Sequence, residues 1–176
     1  MPLIIILTIY LFKMKFAISL IAVIGVAQAN FKSGSVATYE KFTYGKIKSS
    51  MKAPGRKGTV SSIYTFWDGP GFYPGGWNEI DLNVVPSIEE SPVSVNAIYG
   101  DGHNKREEHS YADGIKSLND EFSTYEIEWT PDYISYSVNG DVVRKLEKGD
   151  NEAVDFMSKE QSLRMNFWTP TFHAWG

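Results

Sequence analysis

Cysteine is absent from the 176-residue sequence, so no disulfide can stabilise the chain and no cysteine can act as a catalytic nucleophile. Stability must come from burying apolar and aromatic side chains, which 10 Tyr, 10 Phe and 5 Trp can supply. The length suits one domain with its own core and is short for two. We therefore expect a single domain without disulfides.

Basic residues are in the minority, with 17 Lys and Arg against 21 Asp and Glu. Residues 1–29 contain Lys13 and Lys15 and no acidic residue, so the rest of the chain has 15 basic and 21 acidic residues and a formal charge of −6. An acidic surface argues against nucleic acid and anionic membranes as partners. No protein partner is evident from the sequence.

The first 29 residues are almost wholly apolar. Met14-Lys15, the apolar run 16–26 and Ala27-Gln28-Ala29 form the three parts of a secretory signal peptide, with cleavage after Ala29. We therefore expect a secreted, extracellular protein. A second apolar stretch precedes Met14, so either Met14 is the true start or the long form is retained as a membrane anchor. We favour the signal peptide because the apolar run is shorter than the ~20 residues of a membrane span.

Several catalytic motifs are missing. The sequence has no G-x-S-x-G and no Gly-rich phosphate loop, and His103, His109 and His173 lack the spacing of a metal site. Helix-forming periodicity is confined to residues 152–159. These absences exclude the common serine-hydrolase, nucleotide-binding and zinc-enzyme classes.

Alternating or β-branched runs recur along the chain, broken by Gly, Pro, Asn and Asp. They lie at 44–52, 59–67, 78–85, 93–99, 123–129, 133–138, 141–146 and 162–168. Asn139-Gly140 supplies the two positive-φ residues of a tight hairpin turn. This series predicts an all-β sandwich, with ligand-facing loops at 67–76 and 100–114.

The most informative strand covers residues 77–85. Side chains alternate along a strand, so Ile80, Leu82 and Val84 face the core, and the opposite face holds Trp77, Glu79, Asp81 and Asn83. Glycoside hydrolysis needs two carboxyl groups, and two acids beside an aromatic ring suggest a sugar cleft. Alternate residues lie ~7 Å apart, which fits an inverting pair or two groups that tune each other's pKa. The alternative is a pair of acids that simply face solvent.

Aromatic rings provide flat faces for sugar stacking. The candidates for such stacking are Trp67, Phe72, Tyr73, Trp77, Tyr99, Trp168 and Trp175. We expect some of these to be core residues instead, as we expect of Trp129.

Trp77-Asn78-Glu79-Ile80-Asp81 resembles the active-site strand of glycoside hydrolase family 16, whose licheninase- and laminarinase-like endo-β-glucanases carry Glu-x-Asp-x-Glu or Glu-x-Asp-x-x-Glu. The resemblance extends in order over residues 34–176. Other segments that carry it include Tyr44-Gly45-Lys46, Val95-Asn96-Ala97-Ile98-Tyr99, Tyr125-Glu126-Ile127-Glu128-Trp129 and Met165-Asn166-Phe167-Trp168.

The resemblance implies a concanavalin A-like jelly-roll β-sandwich with a concave glycan cleft and a retaining mechanism. Glu79 matches the nucleophile and Asp81 the residue that assists it. The sugar subsites would be lined by Trp77, Asn96, Tyr99 and Trp168. β-Glucans with β-1,3 or mixed β-1,3-1,4 linkages are the implied substrates. No cofactor is required, and the family allows a structural calcium ion that no local acidic cluster here demands.

The acid/base glutamate of the family is missing. Asn83 occupies that position and Val84 the alternative one, and neither side chain can transfer a proton. Acid/base assistance contributes ~10²–10⁴-fold to rate, so we expect impaired turnover or a non-catalytic β-glucan-binding protein. The candidates to replace it are the glutamates in loop-like segments, Glu89, Glu90, Glu107 and Glu108.

The family sandwich also has strands before Tyr44 and after Trp175. We therefore expect residues 30–176 to be an incomplete domain, as in a fragment, with open sheet edges.

Overall fold

A computed structural model describes residues 6–10, 33–69, 76–101, 103–115, 118, 121–171 and 175. Within these residues the chain forms twelve strands and one short helix. The strands are β1 (Ile6–Tyr10), β2 (Gly34–Phe42), β3 (Gly45–Met51), β4 (Val60–Phe66), β5 (Trp77–Val84), β6 (Val93–Gly100), β7 (Arg106–Glu107), β8 (Ser110–Tyr111), β9 (Ser123–Trp129), β10 (Tyr133–Val138), β11 (Asp141–Glu147) and β12 (Gln161–Trp168), and the helix is α1 (Glu152–Phe156). The eight predicted strands agree with β3, β4, β5, β6, β9, β10, β11 and β12 to within one residue at each end.

The strands form two antiparallel sheets. One sheet has the order β1-β3-β9-β10-β11, and the other has the order β2-β12-β4-β5-β6-β7, with β8 also paired to β6. Buried side chains from both sheets belong to a single hydrophobic core. The predicted all-β sandwich is therefore confirmed.

The core follows directly from alternation along the strands. On β5, Ile80 and Leu82 are fully buried, and they share the core with Ile127, Trp129 and Ile134 of the other sheet. Burying one such side chain contributes roughly 1.5–3 kcal/mol. The prediction that Trp129 is a core residue is confirmed, since it is 1% exposed.

The outer face of the first sheet carries opposite charges on neighbouring strands. Lys46 Nζ of β3 lies 2.8 Å from Glu126 of β9 and 3.8 Å from Glu128. Exposed pairs of this kind contribute about 0–1 kcal/mol each. Their main effect is on register, because a one-residue slip would turn these charges toward the core.

The predicted hairpin turn is confirmed. Asn139 has φ 53° and Gly140 has φ 95°, between β10 and β11. The Asn139 side chain also accepts a hydrogen bond of 2.9 Å from the backbone N–H of Thr124.

Four strands and one boundary differ from the sequence-based expectation, and β1 is one of these strands because it lies within the predicted signal peptide. β2 was not predicted because it pairs only with β12 in the described sheet, and its side chains are largely exposed. β7 and β8 lie within the predicted loop 100–114. α1 ends at Phe156 rather than at Lys159.

The N-terminal prediction falls mostly outside the described residues, as does most of the predicted loop 67–76. Ile6–Tyr10 pairs with β3 in the full chain, and residues 1–5 and 11–32 are not described. The signal peptide and the boundary at residue 29 stay predictions. In the part of the chain that is described, no helix is both long and apolar enough to cross a membrane.

Candidate active site

β5 presents two carboxylates and one amide on the sheet face that points away from the core. Glu79, Asp81 and Asn83 lie on this face, and Ile80 and Leu82 are fully buried on the other. The alternation predicted from the sequence is therefore present.

Neighbouring strands extend this face in three rows, because register partners in antiparallel strands point to the same side. The first row is Ser162, Phe66, Glu79, Ile98 and Glu107. The second row is Arg164, Tyr64, Asp81 and Asn96. The third row is Asn166, Ser62, Asn83, Ser94 and Tyr111. We call this surface the cleft face.

Glu79 is half-buried and hydrogen-bonded. Trp77 Nε1 donates to Glu79 Oε2 at 2.6 Å, which holds the carboxylate in one orientation. Burial raises the pKa of Glu79, while the hydrogen bonds from Trp77 and Asp81 and the charges of Lys105 and Arg164 oppose that rise. The result is a carboxylate that is oriented and only partly hydrated, which suits a nucleophile.

Asp81 lies deeper, with 8% of its surface exposed. Burial raises its pKa well above the ordinary value, and the neighbouring charge and hydrogen bond of Glu79 raise it further. Two carboxyl groups this close do not both ionise easily, so the pair holds one proton, and Asp81 retains it. Asp81 thus donates a hydrogen bond to Glu79, which keeps the charge.

Cations lie at the Glu79 end of the cleft face. Lys105 Nζ is 4.6 Å from the centre of the Trp77 ring, and Arg164 lies over the Phe66 ring at 4.6 Å. Arg164 also forms an ion pair with Asp68. These cations favour the ionised form of the nearby carboxylate.

Asn83 is 8% exposed and occupies the position where a second acid would be expected. Its register partners on the two adjacent strands are Ser62 and Ser94, which do not titrate in the physiological range. No carboxyl group therefore stands at this position or directly beside it on β4 and β6.

Of the four glutamates considered as replacements, Glu107 is the one on the cleft face. Its carboxylate accepts a hydrogen bond of 3.2 Å from Asn96 Nδ2. Glu108 points to the other side and lies 3.4 Å from Arg144, while Glu89 pairs with Lys57 and Glu90 is exposed in a turn.

Three of the four predicted sugar-binding residues lie on the cleft face. Trp77 and Asn96 are on the cleft face beside Glu79 and Asp81. Trp168 is the next residue on this face along β12 after Asn166, and its ring centre is 6.4 Å from that of Trp175. Phe72, Tyr73 and His173 lie outside the described residues.

The placement of Tyr99 was wrong. Tyr99 is 3% exposed, belongs to the hydrophobic core and packs against Phe156 of α1 at 5.7 Å. The reason is alternation: Asn96 and Tyr99 are three residues apart on β6, so the strand turns them to opposite faces.

Sequence reasoning missed one strip of the cleft face. Lys105, Glu107, His109 and Tyr111 line it, and they fall in the segment predicted as a polar loop. Their spacing of two residues is the signal that would have indicated strand pairing. Among the described residues no group of three or more potential metal ligands comes together.

Comparison with known proteins agrees with this geometry. The sequence profile described as "Glycosyl hydrolases family 16" matches residues 12–175. The chain belongs to this family. The resemblance seen at β5 is therefore confirmed.

The curated relatives include two bacterial β-glucanases. The β-glucanase of Fibrobacter succinogenes (strain ATCC 19169 / S85) is 32% identical over 151 residues, covering 85% of this chain and 42% of the relative. The β-glucanase of Brevibacillus brevis is 31% identical over 145 residues, covering 79% of this chain and 50% of the relative. The chain thus spans about half the length of these relatives.

Solved structures support the fold. The Crh5 transglycosylase in complex with NAG aligns with a TM-score of 0.62 and 27% identity, covering 78% of this chain and 54% of that one. A lichenase from a mouse hindgut metagenome aligns with a TM-score of 0.61 and 22% identity, covering 99% of this chain and 69% of that one. A Bacteroides ovatus family-16 enzyme in complex with the product G4G4G3G aligns with a TM-score of 0.63 and 18% identity, covering 77% of this chain and 60% of that one.

Proposed function

We propose that this protein is a secreted family-16 glycosidase that cleaves β-1,3 or mixed β-1,3-1,4 glucans by a retaining mechanism, at a rate reduced by the loss of the acid/base glutamate. The observation that carries this proposal is the hydrogen-bonded set of Trp77, Glu79 and Asp81 on the cleft face. Curated relatives with β-glucanase names support the choice of substrate.

The first chemical step uses Glu79. Its carboxylate attacks the anomeric carbon, the bond to the leaving oxygen breaks, and a glycosyl ester with Glu79 forms. Protonated Asp81 keeps its hydrogen bond to Glu79 and holds the attacking oxygen in place. Water then attacks the anomeric carbon and releases Glu79. These steps involve carboxyl groups and water, so we propose that no cofactor takes part.

Both steps normally need a proton carrier. A proton must reach the leaving oxygen in the first step and must leave water in the second. Asn83 can do neither, which predicts that cleavage is slowest when the leaving group is a poor one. An aryl glycoside with a good leaving group needs little assistance and bypasses the first barrier.

A second candidate function is non-catalytic binding of β-glucan. The observation that favours it is Asn83 itself, within a face that keeps Trp77, Asn96 and Trp168. Such a protein would bind the polysaccharide through aromatic stacking and amide hydrogen bonds without forming a covalent intermediate.

The two functions are separated by a burst experiment with a 2,4-dinitrophenyl β-glucan oligosaccharide. We expect the full-length chain to release one equivalent of dinitrophenol rapidly and to carry the sugar as a mass adduct on Glu79. Glu79→Gln should lose the burst, and the exposed residue control Glu90→Gln should retain it. Binding of laminarin without any release of dinitrophenol would overturn the glycosidase proposal and support the binding protein.

Secretion is tested separately. We propose that the signal peptide is removed after Ala29, so N-terminal sequencing of protein from the culture medium should begin at Asn30. Protein that stays with the membrane fraction and keeps residues 1–29 would contradict this and support the anchor.

A further inference from the structure

His109 lies on the cleft face, next to the row that contains Asn83. The backbone N–H of Glu108 donates to Ala97 O at 2.9 Å, and Ser110 is the register partner of Val95. His109 is therefore opposite Asn96, on the same side of the sheet as Glu107 and Tyr111. Its side chain faces the same space as the two carboxyl groups of β5.

Three contacts hold the imidazole near the position of the missing acid. His109 Nε2 and Ser94 Oγ share a hydrogen bond of 2.9 Å. The Tyr111 ring packs edge-on at 4.9 Å, and the Trp175 ring centre lies at 6.3 Å. Trp175 Nε1 in turn donates to Tyr111 OH at 2.9 Å.

Ser94 connects His109 to Asn83. Ser94 and Asn83 are register partners on β6 and β5, and neighbouring strands lie ~4.8 Å apart. The imidazole thus contacts Ser94, the residue of β6 that is paired with Asn83. A side chain that can carry a proton therefore lies next to the residue paired with Asn83.

We propose that His109 carries out the proton transfers that the family assigns to the glutamate replaced here by Asn83. This inference rests on the proposed glycosidase function and adds its acid/base residue. Glu107 is the less suitable candidate, because it lies in the row of Glu79 and Asn96 already binds its carboxylate.

The proton balance is complete with these residues. In the first step Glu79 forms a bond to the anomeric carbon, the imidazolium of His109 gives its proton to the departing oxygen, and His109 becomes neutral. In the second step neutral His109 takes a proton from water, the water oxygen bonds to the anomeric carbon, and the ester to Glu79 breaks. The enzyme then returns to its starting state.

The surroundings of His109 set the pH range of this chemistry. Burial lowers its pKa from the ordinary 6.5, the charge of Glu107 opposes this, and Arg144 adds to it. Arg144 is itself close to Glu108. The groups without a formal charge around the ring are Ser94, Asn96, Tyr111 and Trp175. Asp81, in the row of Asn96, retains its proton.

The pH profile of activity should therefore have an acid limb and an alkaline limb. Glu79 must be ionised, and burial raises its pKa from the ordinary value. His109 must be protonated for the first step, and burial lowers its pKa from the ordinary value. We expect kcat/KM on an unactivated glucan to rise through the first of these ionisations and fall through the second, giving an acidic optimum.

The test compares His109→Gln with the matched control His103→Gln, since His103 is exposed in the 101–104 turn. On laminarin, His109→Gln should lower kcat/KM by about 10²–10⁴-fold and remove the alkaline limb of the pH profile. On the dinitrophenyl substrate its burst should persist, because that leaving group needs no proton. His103→Gln should match the parent in all three respects.

Rescue of turnover by azide is a second readout, because a purely structural defect at His109 would not respond to azide. Azide needs no base, so it should restore turnover of the dinitrophenyl substrate by His109→Gln and yield a β-glycosyl azide, with little effect on the parent. A burst by the parent together with an unchanged pH profile and no azide effect in His109→Gln would overturn the role of His109 alone. Absence of any dinitrophenol release by the parent would instead overturn the glycosidase function.

Discussion

Trp77 Nε1 lies 2.6 Å from Glu79 Oε2, two residues along the same strand, so the ring that borders the cleft also holds the carboxylate that we propose as the nucleophile. A hydrogen bond donated to a carboxylate stabilises its charged form and lowers its pKa. One side chain thereby contributes both to the shape of the site and to its electrostatics.

Replacing Trp77 by Phe keeps an aromatic ring and removes this donor. The pKa of Glu79 should rise further, so the acid limb of kcat/KM for the dinitrophenyl substrate should move to higher pH. Trp168→Phe is the control, because Trp168 lies on the same face on β12, which β4 separates from the strand of Glu79. Equal acid limbs in the two variants would show that the Trp77 hydrogen bond does not influence Glu79.

Asp81 should reduce stability as the pH rises. Its pKa is raised in the folded state, so the folded chain binds its proton more tightly than the unfolded chain does. The stability that this proton contributes is present at low pH and is lost as the pH rises through the folded-state pKa.

Asp81→Asn should therefore match the parent in melting temperature near pH 4 and exceed it at pH 8. Each kcal/mol corresponds to about 2–4 °C in a chain of this size. The exposed Asp141→Asn should leave the parent curve unchanged in shape. A deficit for Asp81→Asn that persists at pH 8 would mean that the ionised carboxylate stabilises the fold.

Gly100 positions the strip that carries Lys105 and Glu107. It has φ 124°, and a Cβ there would lie 2.2 Å from the backbone oxygen of Asn104. Gly149 also has positive φ, 84°, but a Cβ there meets nothing within 4 Å.

Gly100→Ala should thus destabilise the protein by more than Gly149→Ala, which costs about 1 kcal/mol for its backbone conformation alone. We expect a difference of about 1–3 kcal/mol in urea unfolding, with loss of the burst in Gly100→Ala. Equal losses of stability would show that the 101–104 turn rearranges around the added Cβ without a cost in the free energy of unfolding.

The sequence predicted the fold and the central strand because alternation there is clean. The buried side of β5 is identified by three alternate apolar residues, Ile80, Leu82 and Val84. The β10–β11 hairpin is identified by Asn139-Gly140, whose residue types favour the positive φ angles of the turn. β2 was missed because polar residues occur on both of its faces and most of its side chains are exposed. Its position is determined by pairing with β12, which alternation does not reveal.

The cleft was predicted less completely. Glu79, Asp81 and Asn83 are close in sequence, whereas His109 reaches their face only through pairing of residues 106–111 with β6. Tyr99 was misplaced because the family resemblance puts it beside Asn96, whereas three residues along β6 turn the two side chains to opposite faces. The positions of His109 and Tyr99 both depend on how distant strands pair, and the local sequence pattern does not reveal that pairing.

The central claim is that the cleft is a family-16 glycosidase site in which Asn83 has replaced the usual acid/base residue. It is tested most directly by reducing-sugar release from laminarin and barley β-glucan by Asn83→Glu, with Asn83→Gln as the control of similar size and no acid. The account predicts that Asn83→Glu releases more sugar than the parent, that it recovers the loss of about 10²–10⁴-fold when it is combined with His109→Gln, that Asn83→Gln does neither, and that adding Glu79→Gln abolishes the gain. A folded Asn83→Glu protein that binds laminarin and releases no more sugar than the parent would contradict it.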